Sequence, residues 1–133
     1  MSPQDALIAV MIAVSAADEV QSTQELLTID RIIDAVPAFL GYDKDRVPVV
    51  KALVGDLFTE EDGIDALIGL VNEALPEGFN ETAYALACDV AAADGTVRMG
   101  ELRFLEILRH DLGVGRLAAA AIERGARARH QRF

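Results

Sequence analysis

Two acids recur at one spacing in two distant parts of the chain. Asp18 and Glu25 are seven residues apart, and so are Asp94 and Glu101. The coincidence extends beyond the acids, because Asp5 to Asp34 can be laid over Glu81 to His110 with a constant offset of 76 residues. Ala9, Val14, Ala16, Ala17, Asp18, Glu25 and Leu26 then meet Ala85, Val90, Ala92, Ala93, Asp94, Glu101 and Leu102. Four carboxylates are hard oxygen donors, the ligand type that Ca2+, Mg2+ and Mn2+ prefer. No His or second Cys lies nearby, so a closed zinc site does not fit. Asp89, five residues before Asp94, is a weaker candidate ligand. So are Glu61 and Asp62, which with Glu60 form a short acidic run.

The same acids have a plainer use. Ser22-Thr23-Gln24-Glu25 is a capping-box pattern, in which a Ser hydroxyl and a Glu carboxylate satisfy backbone N–H groups at a helix start. Asp18 and Asp94 can each close a turn by accepting from the backbone that follows. The second copy departs from the first: Arg98 stands where Ser22 stands, and a guanidinium cannot accept the capping bond. Glu101 is therefore retained without half of its box. Arg98 could instead pair with Asp94 or Glu101 and fill the space of a cation. Metal ligation and helix capping both remain open for these residues at this point.

Elements that would position these acids are legible in the periodicity, which is helical almost throughout. Pro3 suits the first turn of a helix to about Ala17, and the Ser22 box opens a second that carries Leu26, Ile29, Ile32, Ile33 and Val36 until Pro37. Asp45 is the expected cap of a third, with Val49, Val50, Leu53, Val54 and Leu57 inward. Thr59 to Asp62 opens a fourth, lined by Leu67, Ile68, Val71 and Leu75. Asn80 is the expected cap of a fifth reaching about Ala93, and a sixth spans Met99 to Leu112 with Leu102, Leu105 and Leu108 along it. Gly113 and Gly115 joint it to a seventh, Arg116 to about Arg127. No strand run survives. The expectation is one all-α domain over 1–133, a compact seven-helix bundle, with repeat halves at 5–34 and 81–110 related by a rough two-fold. A middle section (38–78) and a basic end (123–133) complete it.

Composition excludes several classes. The chain has 133 residues, 52% of them hydrophobic, with a formal net charge of −10. Residues 1–96 carry 18 acids and 4 bases, whereas residues 97–133 carry 4 acids and 8 bases. An acidic body disfavours nucleic acid as partner and favours cations or a basic protein. Arg124, Arg127, Arg129 and Arg132 could meet an anionic partner, but they read more simply as solvated cations near a helix C-terminus. The apolar run Ala6 to Ala17 is too short for a bilayer span. It is also not expected to be a signal peptide, because Met1 to Asp5 holds an acid and no base. A cytoplasmic protein is the resulting expectation. Cys88, among Leu86, Ala87 and Val90, reads as a buried inert thiol. His110 and His130 form no triad, Gly113-Val114-Gly115 lacks the strand of a nucleotide loop, and no enzymatic signature appears.

Three stretches resemble the tellurite-resistance TerB family. They are Ser15-Ala16-Ala17-Asp18 with Glu25, Glu60-Glu61-Asp62-Gly63-Ile64-Asp65-Ala66-Leu67, and Thr82 to Ala87 running into Val90-Ala91-Ala92-Ala93-Asp94-Gly95. The resemblance implies a compact all-α fold and a cytoplasmic protein. It also implies a divalent-metal site on the loop acids and a link to tellurite and other chemical stress through protein partners, membrane-associated ones included. It does not imply an established enzymatic activity. Glu19 stands where the second copy has Gly95, which departs from the family pattern together with Arg98. The expected function is thus a non-enzymatic stress-response module that binds a divalent cation. The alternative is a metal-independent helical interaction or scaffold module whose acids are caps.

Overall fold

An apolar helix with no polar face sets the architecture. In the computed structural model, which describes residues 1–17 and 22–133, helix α1 runs Pro3–Ala16. Ser2 caps it by accepting the Asp5 N–H at 3.0 Å, and Pro3 occupies a first-turn position where no N–H is missed. From Asp5 to Ser15 every residue is buried. A helix apolar on all sides has to be surrounded, and α1 packs on α2 (Thr23–Ala35), α3 (Val47–Phe58), α4 (Gly63–Ala74), α5 (Phe79–Ala92) and α6 (Met99–Asp111). Burying each Leu, Ile, Val or Met of α1 contributes about 1.5–3 kcal/mol relative to exposure. Helix α7 (Arg116–Arg129) lies outside this ring and packs on α5. The described residues are all-α, as expected, and none of their helices is long and apolar enough to cross a membrane.

The 76-residue offset reappears in the element bounds. Helices α1 and α5 both have 14 residues, α2 and α6 both have 13, and Pro3, Ala16, Thr23 and Ala35 correspond to Phe79, Ala92, Met99 and Asp111. Small residues at 0–1% exposure on both α1 (Ala6, Ala9, Ala13) and α5 (Ala83, Ala87, Ala91) let these two helices approach closely.

Several local expectations are corrected. Asp45 does not cap α3: Asp43 accepts the Asp45 N–H at 2.9 Å in a short 3-10 turn, and α3 follows with Arg46 at its cap position. Asn80 lies inside α5, where its amide donates to the Leu112 carbonyl at 2.7 Å. The cap position belongs to Gly78 at φ 92°, a conformation that a glycine adopts without strain. Helix α4 starts only at Gly63, so Glu60 and Glu61 precede it. Val49 (53% exposed) and Leu53 (37%) miss the core because α3 inserts Val50 and Val54 and the next positions round the helix point outward. Leu26, Leu102 and Leu117 are exposed for the same reason of a narrow contact edge.

Two features unannounced by motif hold the bundle. Asp5 accepts from the Tyr42 hydroxyl and from Arg46, each at 2.8 Å, and so ties the start of α1 to the segment before α3. Burial alone would raise the Asp5 pKa, but the bonds from Arg46 and Tyr42 outweigh it and hold the carboxyl below its ordinary value. At Gly63 a Cβ would overlap the Leu57 carbonyl, because the chain doubles back tightly between α3 and α4. Gly63→Ala should therefore lower stability by about 1–3 kcal/mol, read as a lower urea midpoint at unchanged slope; a variant as stable as the parent would contradict this close approach.

Candidate functional site

The starts of α2 and α6 bring two wholly buried carboxylates together. Glu25 and Glu101, each 0% exposed, occupy the third position of their helices, and their carboxyl groups lie close enough to interact directly. In α2 the capping box is complete: the Glu25 N–H donates to Ser22 Oγ at 3.0 Å, and the Ser22 N–H donates to Glu25 Oε1 at 3.3 Å. In α6 only half exists, since the Arg98 N–H donates to Glu101 Oε1 at 3.0 Å while the Arg98 side chain has nothing with which to accept. Each outer oxygen is thus spoken for. The inner oxygens, Glu25 Oε2 and Glu101 Oε2, are buried without a hydrogen-bond partner. Among the described residues only Ser15 Oγ shares that condition.

Arg98 and Asp94 flank the pair. Asp94 Oδ1 accepts the Thr96 N–H at 3.0 Å and Oδ2 accepts from Arg98 Nη1 at 3.1 Å, while the same Nη1 stands 4.0 Å from Glu101 Oε1. Ser22 of the first copy also lies beside Asp94 of the second. Burial would raise the Asp94 pKa, but Thr96, Arg98 and Ser22 together hold it below its ordinary value. Gly95, at φ 82°, makes the tight turn between Asp94 and α6. Glu101 behaves oppositely. Burial, reinforced by the Glu25 carboxyl beside it, pushes its pKa up to about 8. A proton retained on Glu101 supplies the donor that the two inner oxygens lack.

The sequence-derived candidates divide accordingly. Glu25, Asp94 and Glu101 come together. Asp18 lies outside the described residues. Asp89 is instead held by Arg129 of α7 at 2.7 Å, with His130 Nε2 at 3.4 Å. Glu61 and Asp62 border a separate surface depression with Glu60, Ala17 and Phe58. Among the described residues no group of three or more His, Cys, Asp or Glu is arranged to hold a metal ion. Sequence reasoning weighed Glu25 and Glu101 as caps or as ligands; the structure makes them caps through one oxygen and leaves the other free. The mutual burial of the pair was foreshadowed only by their equal place in the repeat.

A retained proton has a measurable consequence. A folded-state pKa above the unfolded value of about 4.5 gives stability that is full below pH 4.5 and is lost as pH rises toward 8. Glu101→Gln keeps an oxygen for the Arg98 N–H and places a permanent donor against Glu25. The parent should lose about 2 kcal/mol or more between pH 5 and pH 8.5, and the variant should lose much less of it. Parallel pH profiles of the two proteins in urea denaturation would refute the retained proton.

The family model for Tellurite resistance protein TerB matches residues 4–124. No curated protein and no solved structure gives a match.

Proposed function

Because the chain belongs to the TerB family, we propose that it is a non-enzymatic, cytoplasmic stress-response module whose Glu25–Glu101 centre takes up a divalent cation and which acts through protein partners. The observation that carries the metal half of this reading is the pair of partnerless inner oxygens on wholly buried carboxylates. Those atoms are hard donors on two carboxyl groups close enough to interact, and their burial without a partner calls for either a proton or a cation. Glu25 Oε2 and Glu101 Oε2 would hold the ion, beside Asp94, whose own oxygens are engaged by Thr96 and Arg98. Once bound, the cation would neutralise the pair and clamp the starts of α2 and α6 to each other. That is a conformational signal rather than a reaction, suited to a module read by other proteins, membrane-associated ones among them. The family's name supports a part in tellurite and related chemical stress.

A second reading draws on a specific observation. The complete box at Ser22 and the Arg98 guanidinium on Asp94 satisfy most of the site without metal, as a scaffold or interaction module would require. Calorimetric titration separates the two. Metal-stripped protein titrated with Mn2+, Ca2+ and Mg2+ should bind one ion saturably, and affinity should rise with pH up to about 8 because the Glu101 proton must leave first. An Asp94→Asn, Glu101→Gln double variant that keeps its circular-dichroism spectrum should lose the binding. Flat titrations of the parent would sink the metal reading and leave the scaffold.

A further inference from the structure

A second feature lies on the other side of the Asp94 loop. Helix α5 floors a cavity of about 1020 Å3, α6 and α7 wall it, and residues 130–132 border one end. That volume is at the upper limit of sites for small organic ligands. Its surface is apolar in the middle, where Cys88, Ala91 and Leu105 are buried. Burial pushes the Cys88 thiol up to about 12, so it stays protonated and serves as floor. Val97 and Leu102, 39% and 44% exposed, add apolar side chains at the rim that the core does not use.

The charges in the cavity are sorted along its length. Glu106, Arg109 and Glu123 stand toward the middle of α7 and the end of α6, and Glu123 accepts from the Tyr84 hydroxyl at 2.7 Å. At the α7 C-terminal end stand Arg127 and Arg132, with Asp94 as the acid there, already paired with Arg98 at 3.1 Å. Neither Arg127 nor Arg132 has an acidic partner among the described residues. Arg132 spends one donor on the Ala93 carbonyl at 3.1 Å, which fastens the C-terminal segment to the end of α5. In a chain of net charge −10, two guanidinium groups without an acidic partner beside an apolar floor are the combination that an amphipathic anion requires.

We infer that this cavity binds a small amphipathic anion, its carboxylate or phosphate head between Arg127 and Arg132 and its apolar body along Cys88, Ala91 and Leu105. The fastened end at Arg132 and Ala93 favours a small ligand over a through-running helix of a partner protein.

The test uses the whole protein in chelator, so that it is independent of the carboxylate centre. Dodecanoate and dodecyl phosphate, kept below micelle-forming concentrations, are titrated calorimetrically beside dodecanol and dodecyltrimethylammonium. One molecule of at least one anion per chain should bind, at least tenfold more tightly than the neutral and cationic probes. Binding of only one anion would identify the head group and support the site. The variant Arg127→Gln with Arg132→Gln should weaken binding at least tenfold while keeping its helical circular-dichroism spectrum, and Ala92→Leu should obstruct the cavity. Absence of saturable binding by both anions overturns the inference, as does equal binding of all four probes or an unweakened arginine variant. Capture of an acidic amphipathic peptide without either small anion would overturn it in favour of a protein groove.

Discussion

Helix α1 has no polar face, and the rest of the molecule is arranged around that constraint. A helix buried from Asp5 to Ser15 needs neighbours on every side, and five helices supply them. The polar work of the fold is then displaced to helix ends. There the first N–H groups of α2 and α6 are met by Ser22, Glu25 and Glu101, and the start of α1 is met by Ser2. Capping carboxylates are ordinarily wet. Here two of them are closed off from water, so local hydrogen bonding at two helix starts leaves two buried carboxyl oxygens in need of a donor.

Arg98 shows how the two copies share that load unequally. In the first copy a serine completes the box, and in the second a guanidinium takes its place and binds Asp94 instead. Asp94 is held below its ordinary pKa by Thr96 and Arg98, while burial beside Glu25 holds Glu101 above its own. Two carboxyl groups seven residues apart in sequence thus carry opposite protonation tendencies, because burial beside a second carboxyl dominates at Glu101 and hydrogen bonds from Thr96 and Arg98 dominate at Asp94.

Much of the fold was legible because its signals are local. Ser22 with Glu25, Pro37, and the glycines at 113 and 115 punctuate helices whose apolar spacing is regular, and the 76-residue offset in sequence matches the helix bounds. Positions one step round a helix were less so: Val49 and Leu53 look as apolar as Val50 and Val54, and only the placement of α1 and α4 decides which pair is covered. The caps at Asp45 and Asn80 failed because Asp43 and a left-handed Gly78 did the work nearby. The meeting of Asp5 with Tyr42 and Arg46 joins residues far apart in sequence, and no motif marks it. Nor does one mark the cavity under α7, which arises from α6 and α7 both standing on α5 without closing on each other.

The claim on which the functional account turns is that one of two buried carboxyl groups holds a proton at neutral pH and yields it to a cation. Infrared difference spectroscopy reads this directly through the C=O stretch of a protonated carboxylic acid. In metal-free protein at pH 6.5 the account predicts one such buried band, absent in Glu101→Gln and lost from the parent on saturation with Mn2+. A parent with no acid band at that pH, or a band that survives both the substitution and the metal, would contradict it.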